Sequence, residues 1–232
     1  MNRALTAGTP NAHPLGIMTF DDDRPQTFSE ELCNALSHGL AFLLAVASLP
    51  VLVSVAAARG SAASVVGACV FSATMMLLYF ASTLYHALPP GRAKRFFNKL
   101  DHAAIYLFIA GSYTPFALGA LRGGWGWSLF GIVWAIAVVG VLLKSFNFLR
   151  HPYWSTALYV AMGWLVLVAA APLVQHVAHQ GIVLLVAGGL AYTAGAVVFL
   201  LDSKLRYAHF VWHLFVMGGS SCHFFAALWY AQ

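Results

Sequence analysis

The chain has 232 residues, of which 61 % are hydrophobic and only 8 % charged, where a soluble domain carries about 25 %. So few charges cannot cover a water-exposed surface, so most of the surface must face lipid. The net charge of +5 comes without a dense basic run interleaved with aromatics, which excludes a nucleic-acid interface and points instead to membrane orientation.

Residues 1–29 are polar, contain prolines and lack the central apolar run of a secretory signal. They are expected to form a mobile tail, with Asp21-Asp22-Asp23 as a solvated turn. Residues 30–232 form one transmembrane domain. A membrane-spanning helix needs about 20 mostly apolar residues, and seven segments qualify: 32–57, 62–88, 100–120, 125–143, 156–174, 182–201 and 208–230. The short connections hold the Gly, Pro and charged residues, as in Pro89-Pro90-Gly91 and Arg122-Gly123-Gly124. The fold class is therefore an all-α seven-helix membrane bundle.

Lysine and arginine set its orientation. Arg3, Arg24, Arg92, Lys94, Arg95, Lys99, Lys144, Arg150, Lys204 and Arg206 fall on one side, and only Arg59 and Arg122 on the other. The N-terminus is thus expected in the cytoplasm and the C-terminus outside. Cys33, Cys69 and Cys222 stand apart in or beside apolar segments with no CxxC pair, and read as small hydrophobes. Gly188-Gly189, Gly195 and Gly218-Gly219 allow close helix contact. Gly111, Ser112 and Pro115 predict a kink in the third span, beside a cavity.

Ionisable groups inside spans are costly, so each is a functional hypothesis. Glu31, Asn34, His38, His86, Asp101, His102, His209 and His213 all fall near the cytoplasmic ends of their spans. His209 and His213, at i and i+4, share a helical face, and His86 could add a third nitrogen. Three histidines around Zn²⁺ leave a fourth position open, the arrangement of catalytic sites. Asp101 could then orient a water or take its proton, and Ser82, one turn before His86, could donate to a carbonyl or brace a ligand. Interhelical hydrogen bonding is the competing explanation of the histidines. Glu31 and Asn34 could instead cap the first helix. His102 reads as an interfacial or outer-sphere group, and His223 as a hydrogen-bonded core residue.

Four blocks then resemble the hemolysin III family, within the wider progestin and adipoQ receptor (adiponectin receptor-like) superfamily: Glu31-Leu-Cys-Asn34-Ala-Leu-Ser-His38, Ser82-Thr-Leu-Tyr-His86, Leu100-Asp101-His102 with Gly111-Ser112-Tyr113-Thr114-Pro115-Phe116, and His209-Phe-Val-Trp-His213. The resemblance runs from Ser29 to Tyr230. It implies seven spans with a cytoplasmic N-terminus in a bacterial inner membrane, zinc held by His86, His209 and His213, Asp101 on zinc directly or through water, and Ser82 near that water. It also implies ceramidase-like hydrolysis of lipid amide or ester bonds, the lipid entering sideways between helices. The alternative is a non-catalytic sensor or homeostasis factor with a structural zinc. A pore-forming hemolysin is disfavoured because such a protein must first be soluble, and a transporter because the polar groups gather at one face. The long N-terminal domain of the eukaryotic receptors has no counterpart here.

Overall fold

The structure is a computed structural model that describes residues 24–149 and 151–231. Asp21-Asp22-Asp23 and most of the expected tail lie outside the described residues. The elements run α1 (Phe28–Arg59), α2 (Ala62–Ala87), α3 (Arg92–Leu118), α4 (Gly124–Ser145), α5 (Pro152–Gly163), a 3₁₀ segment (Trp164–Ala169), α6 (Ala170–His176), α7 (His179–Phe199) and α8 (Ala208–Tyr230). No strand occurs among the described residues.

α1 begins at Phe28, earlier than apolarity alone marks. Thr27 caps it: its hydroxyl accepts from Glu30 N at 3.4 Å while the Glu30 carboxylate accepts from Thr27 N at 2.9 Å. The helix is inside-out relative to one in water. It buries Asn34, Ser37, His38, Ala41 and Ala45 on one helical face and exposes Leu36, Leu40, Leu43 and Leu44, as a lipid solvent requires.

Among the described residues six helical stretches are long and apolar enough to cross a membrane: α1, α2, α4, the α5-to-α6 run Pro152–His176, α7 and α8. α3 is as long but less apolar, because Asp101, His102, Ser112, Tyr113 and Thr114 interrupt it. It lies between α2 and α4, with Ala104, Tyr106, Ala110 and Thr114 fully buried. A helix wrapped by its neighbours need not present an apolar face to lipid. α3 also stays helical through Pro115. Gly67 of α2 packs against it so closely that a Cβ there would lie 2.9 Å from Pro115 Cα.

The span expected over 156–174 is broken into α5, the 3₁₀ turns and α6. One side chain supports the break. The Tyr113 hydroxyl donates toward the carbonyls of Met162 (3.0 Å) and Gly163 (2.6 Å), and accepts from Val166 N at 2.9 Å. Irregular backbone at membrane depth persists only where protein groups satisfy it. α7 and α8 meet along a glycine seam repeating every seven residues. A Cβ on Gly181 would strike Tyr230, one on Gly188 would strike His223, and one on Gly195 would strike Phe215 and Trp212. Of the other expected small-residue contacts, Gly219 lies under Tyr192, a Cβ on Gly189 would lie 3.5 Å from the Trp164 ring, and one on Gly218 would meet nothing within 4 Å.

Candidate metal centre

The start of α1, the end of α2, the start of α3 and the start of α8 converge at one end of the bundle. This brings His86, His209 and His213 together from sequence positions up to 127 apart. Their ring centroids are 5.0 Å (His86–His209), 5.1 Å (His86–His213) and 4.9 Å (His209–His213) apart. One nitrogen of each lies within 4.8 Å of those of the other two, so the group could hold one metal ion. His86 and His213 are buried, and His209 is half-buried.

The outward-facing nitrogens make the grouping more specific. His86 Nδ1 lies 2.6 Å from Glu31 Oε2, His209 Nδ1 2.8 Å from Asp202 Oδ2, and His213 Nδ1 3.1 Å from Ser37 Oγ. Each Nδ1 is thus engaged from outside, which leaves Nε2 as the nitrogen available to the interior. His86 Nε2 is buried with no hydrogen-bond partner. An orphaned buried nitrogen is costly. A ring set by a carboxylate on Nδ1, with Nε2 directed inward, is how metal-binding histidines are held. The residues therefore fit a metal. Three imidazoles in this arrangement suit zinc and several other first-row ions.

Glu31 is itself braced by Lys94, whose ammonium donates to Glu31 Oε1 at 2.9 Å and to Tyr85 O at 2.8 Å. Capping of α1 falls to Thr27 and Glu30, which frees Glu31 for His86. Asn34 Nδ2 donates to Gln26 Oε1 at 2.6 Å and stands 3.5 Å from His86 Nδ1. His38 stacks on His213 at 3.5 Å between centroids and places Nδ1 2.7 Å from Ser82 Oγ. Glu30 accepts from the two terminal guanidinium nitrogens of Arg24, at 2.8 and 2.6 Å, and from Tyr207 N at 2.8 Å. That carboxylate raises the Arg24 pKa above its ordinary value and ties the first turn of α1 to the residue that opens α8.

Asp101 is buried and stands outside the three-histidine group among the described residues. It shares a cavity of about 1060 Å³ with Ser82, His38, His209 and His213. The cavity runs past Ile109, Ser112 and Phe116 of α3 and on to Leu121, Leu129 and Leu173. His102 also lines it, with Nδ1 donating to Asn98 O at 2.8 Å. His223 sits deeper, with Nε2 3.3 Å from Leu185 O, a core hydrogen bond as expected. The three cysteines are free.

The sequence marks His86, His209, His213, Asp101 and Ser82; the fold gathers the three histidines, and all of these residues but His86 line one cavity. The sequence does not mark Ser37, Asp202 or Glu30. The only local signal for Asp202 is a carboxylate two helical turns before a histidine pair. Ser37 carries none beyond its place beside His38.

Fold and site define a multi-pass helical membrane protein with a buried histidine centre able to take a metal. The family model described as haemolysin-III related matches residues 26–224, and the chain belongs to that family. It is 44 % identical over 205 residues to "Hemolysin-3" of Bacillus cereus, covering 88 % of this chain and 93 % of that one. It is 41 % identical over 204 residues to "Hemolysin-3 homolog" of Bacillus subtilis (strain 168), covering 88 % and 95 %. A more distant relative, within the progestin and adipoQ receptor superfamily, is "Monocyte to macrophage differentiation factor" of Homo sapiens, 28 % identical over 170 residues, 68 % of this chain and 67 % of that one. No solved structure matches. The chain is a multi-pass protein of the bacterial cell membrane.

Proposed function

We propose that this protein is a zinc-dependent hydrolase of lipid amide or ester bonds, with seven spans, its N-terminus in the cytoplasm and its active site near the cytoplasmic face. The observation that carries the reading is the convergence of three histidines, each engaged at Nδ1 from outside, two of which, His209 and His213, line an apolar-walled cavity together with Asp101 and Ser82. For the orientation, ten of the twelve lysines and arginines fall on the side that carries the histidines.

His86, His209 and His213 would hold the ion. When bound there, zinc would supply Lewis acidity at a carbonyl and would lower the pKa of a water to about 7. Asp101 takes the proton of the attacking water and returns it to the leaving amine or alcohol. Ser82, 2.7 Å from His38 Nδ1 and hydrogen-bonded to the Asp101 carboxyl group, would turn its hydroxyl to the substrate carbonyl. The apolar wall from Ile109 to Leu173 takes the acyl chain, which enters sideways between helices.

Elemental analysis of the detergent-purified chain, beside the double variant His209→Ala/His213→Ala, is the first test. The expected result is about one zinc per chain, lost in the variant. Asp101→Ala should keep the zinc and lower turnover of a lipid amide or ester by roughly 10²–10⁴-fold; unchanged hydrolysis would remove Asp101 from its role.

A second reading, a non-catalytic sensor with structural zinc, is favoured by one feature: the histidines and their outer partners come from α1, α2, α8 and the loop before α8. A metal there would pin the bundle. Chelation that sharply lowers thermal stability in a protein without hydrolysis would support this second reading.

A further inference from the structure

Lys144, in the last turn of α4, lines the same cavity as Asp101 and His213. Its charge has a ready general explanation in the positive-inside rule, but its surroundings ask for more. Among the described residues its ammonium makes one hydrogen bond, to Leu149 O, at the limiting distance of 3.5 Å. Among the described residues no carboxylate comes within ion-pair distance of it. Asp101 acts on it only through space.

Two buried hydroxyls share this wall. Ser155 and Thr156 are 3 % and 5 % exposed, and both line the cavity. Ser155 Oγ donates to the same Leu149 carbonyl at 3.4 Å, so it lies beside the ammonium. Thr156 Oγ1 is buried without a hydrogen-bond partner. Lys204, from the connection before α8, lines the cavity as well. Lys144 is half-buried and Lys204 exposed at the cavity mouth, whereas the unpaired Thr156 hydroxyl is buried, which is costly away from water. Donors from α4, α5 and a loop line one cavity, with the Thr156 hydroxyl unpartnered and Lys144 and Ser155 sharing one carbonyl at long distances, a set that matches an oxyanion.

We propose that Lys144, Ser155, Thr156 and Lys204 form an anion subsite for a phosphate ester. The inference rests on the reading of the cavity as a lipid site and narrows it. The preferred occupant is a single-chain amphiphile with an anionic head, its phosphate at Lys144 and its chain along the apolar wall, so that its acyl carbonyl lies toward the histidines.

The test is equilibrium binding to the full chain in neutral detergent, with its metal retained. Lysophosphatidic acid is compared with a monoacylglycerol of the same chain. Wild type should bind the anionic lipid roughly tenfold more tightly. Lys144→Met should abolish that preference with zinc content unchanged, Lys144→Arg should keep it, and Thr156→Val should weaken it several-fold. Inorganic phosphate provides the further arm. Competition by millimolar phosphate, in wild type and not in Lys144→Met, upholds the subsite and makes free phosphate an occupant. Absence of competition, with the lipid preference intact, assigns the subsite to the lipid head. Equal binding of the two lipids by wild type, or a preference that survives Lys144→Met, overturns the proposal. Binding needs no turnover. A protein that shows the preference without hydrolysis retires the hydrolase and keeps the subsite, and one that cleaves both lipids without preference does the reverse.

Discussion

Replacing Glu31 by alanine tests the metal centre without touching a ligand. In the native arrangement His86 Nδ1 lies 2.6 Å from Glu31 Oε2. That carboxylate keeps the proton on Nδ1 and leaves Nε2 as a lone pair. The other polar atom close to this Nδ1 is Asn34 Nδ2, at 3.5 Å, and an amide nitrogen only donates. With Glu31 gone, Nδ1 is offered a donor instead of an acceptor, and the proton moves to Nε2, the nitrogen needed for the metal. The outer carboxylate of a metal-bound histidine is worth about 10–100-fold in affinity, or about 1.4–2.7 kcal/mol. Because the lost group is replaced by a partner that selects the wrong tautomer, Glu31→Ala belongs at the upper end of that range. Glu31→Gln, whose amide oxygen can still accept from Nδ1, belongs at the lower end. The assay is zinc retention by the detergent-purified chain against a chelator of graded concentration, with thermal unfolding of the metal-loaded protein as a control for folding. Equal zinc affinity in wild type and Glu31→Ala would refute the tautomer argument. A greater loss in Glu31→Gln than in Glu31→Ala would refute it as well.

Two further outcomes concern the bundle itself. Tyr113→Phe removes the hydroxyl shared by Met162 O, Gly163 O and Val166 N; with an unsatisfied buried group costing about 1–3 kcal/mol, the variant should unfold at lower temperature, and an unchanged midpoint would mean that water or rearranged backbone takes over. Gly67→Ala should destabilise by about 1–3 kcal/mol, since its Cβ would lie 2.9 Å from Pro115 Cα, whereas Gly131→Ala, with nothing within 4 Å, should stabilise by about 0.5–1 kcal/mol; measured by thermal unfolding in one detergent, equal effects would contradict the α2–α3 contact.

The sequence by itself determined the class of molecule and the main chemical groups. Membrane insertion is a property of composition and run length, so the apolar segments read directly as helices; the boundaries of α2 and α4 differ from expectation by a residue or two and those of α8 coincide with it. His86, His209 and His213 were legible because an imidazole is expensive inside a span, and because an i, i+4 pair shares a face whatever the helix packs against. Tertiary structure decided what depends on neighbours. The 3₁₀ break after Gly163 needs Tyr113, some 50 residues away, to satisfy the freed backbone, and no local pattern announces that partner. α3 carries Asp101 and His102 into the bundle because α2 and α4 shield it, a condition absent from its own residues. The outer partners Ser37 and Asp202 are ordinary polar residues in sequence, and Glu31 could equally have capped α1. Their role is set only when Thr27 and Glu30 take over the cap and α1, α2 and α8 meet, because hydrogen-bond partnership is fixed by distance in space and not by spacing along the chain.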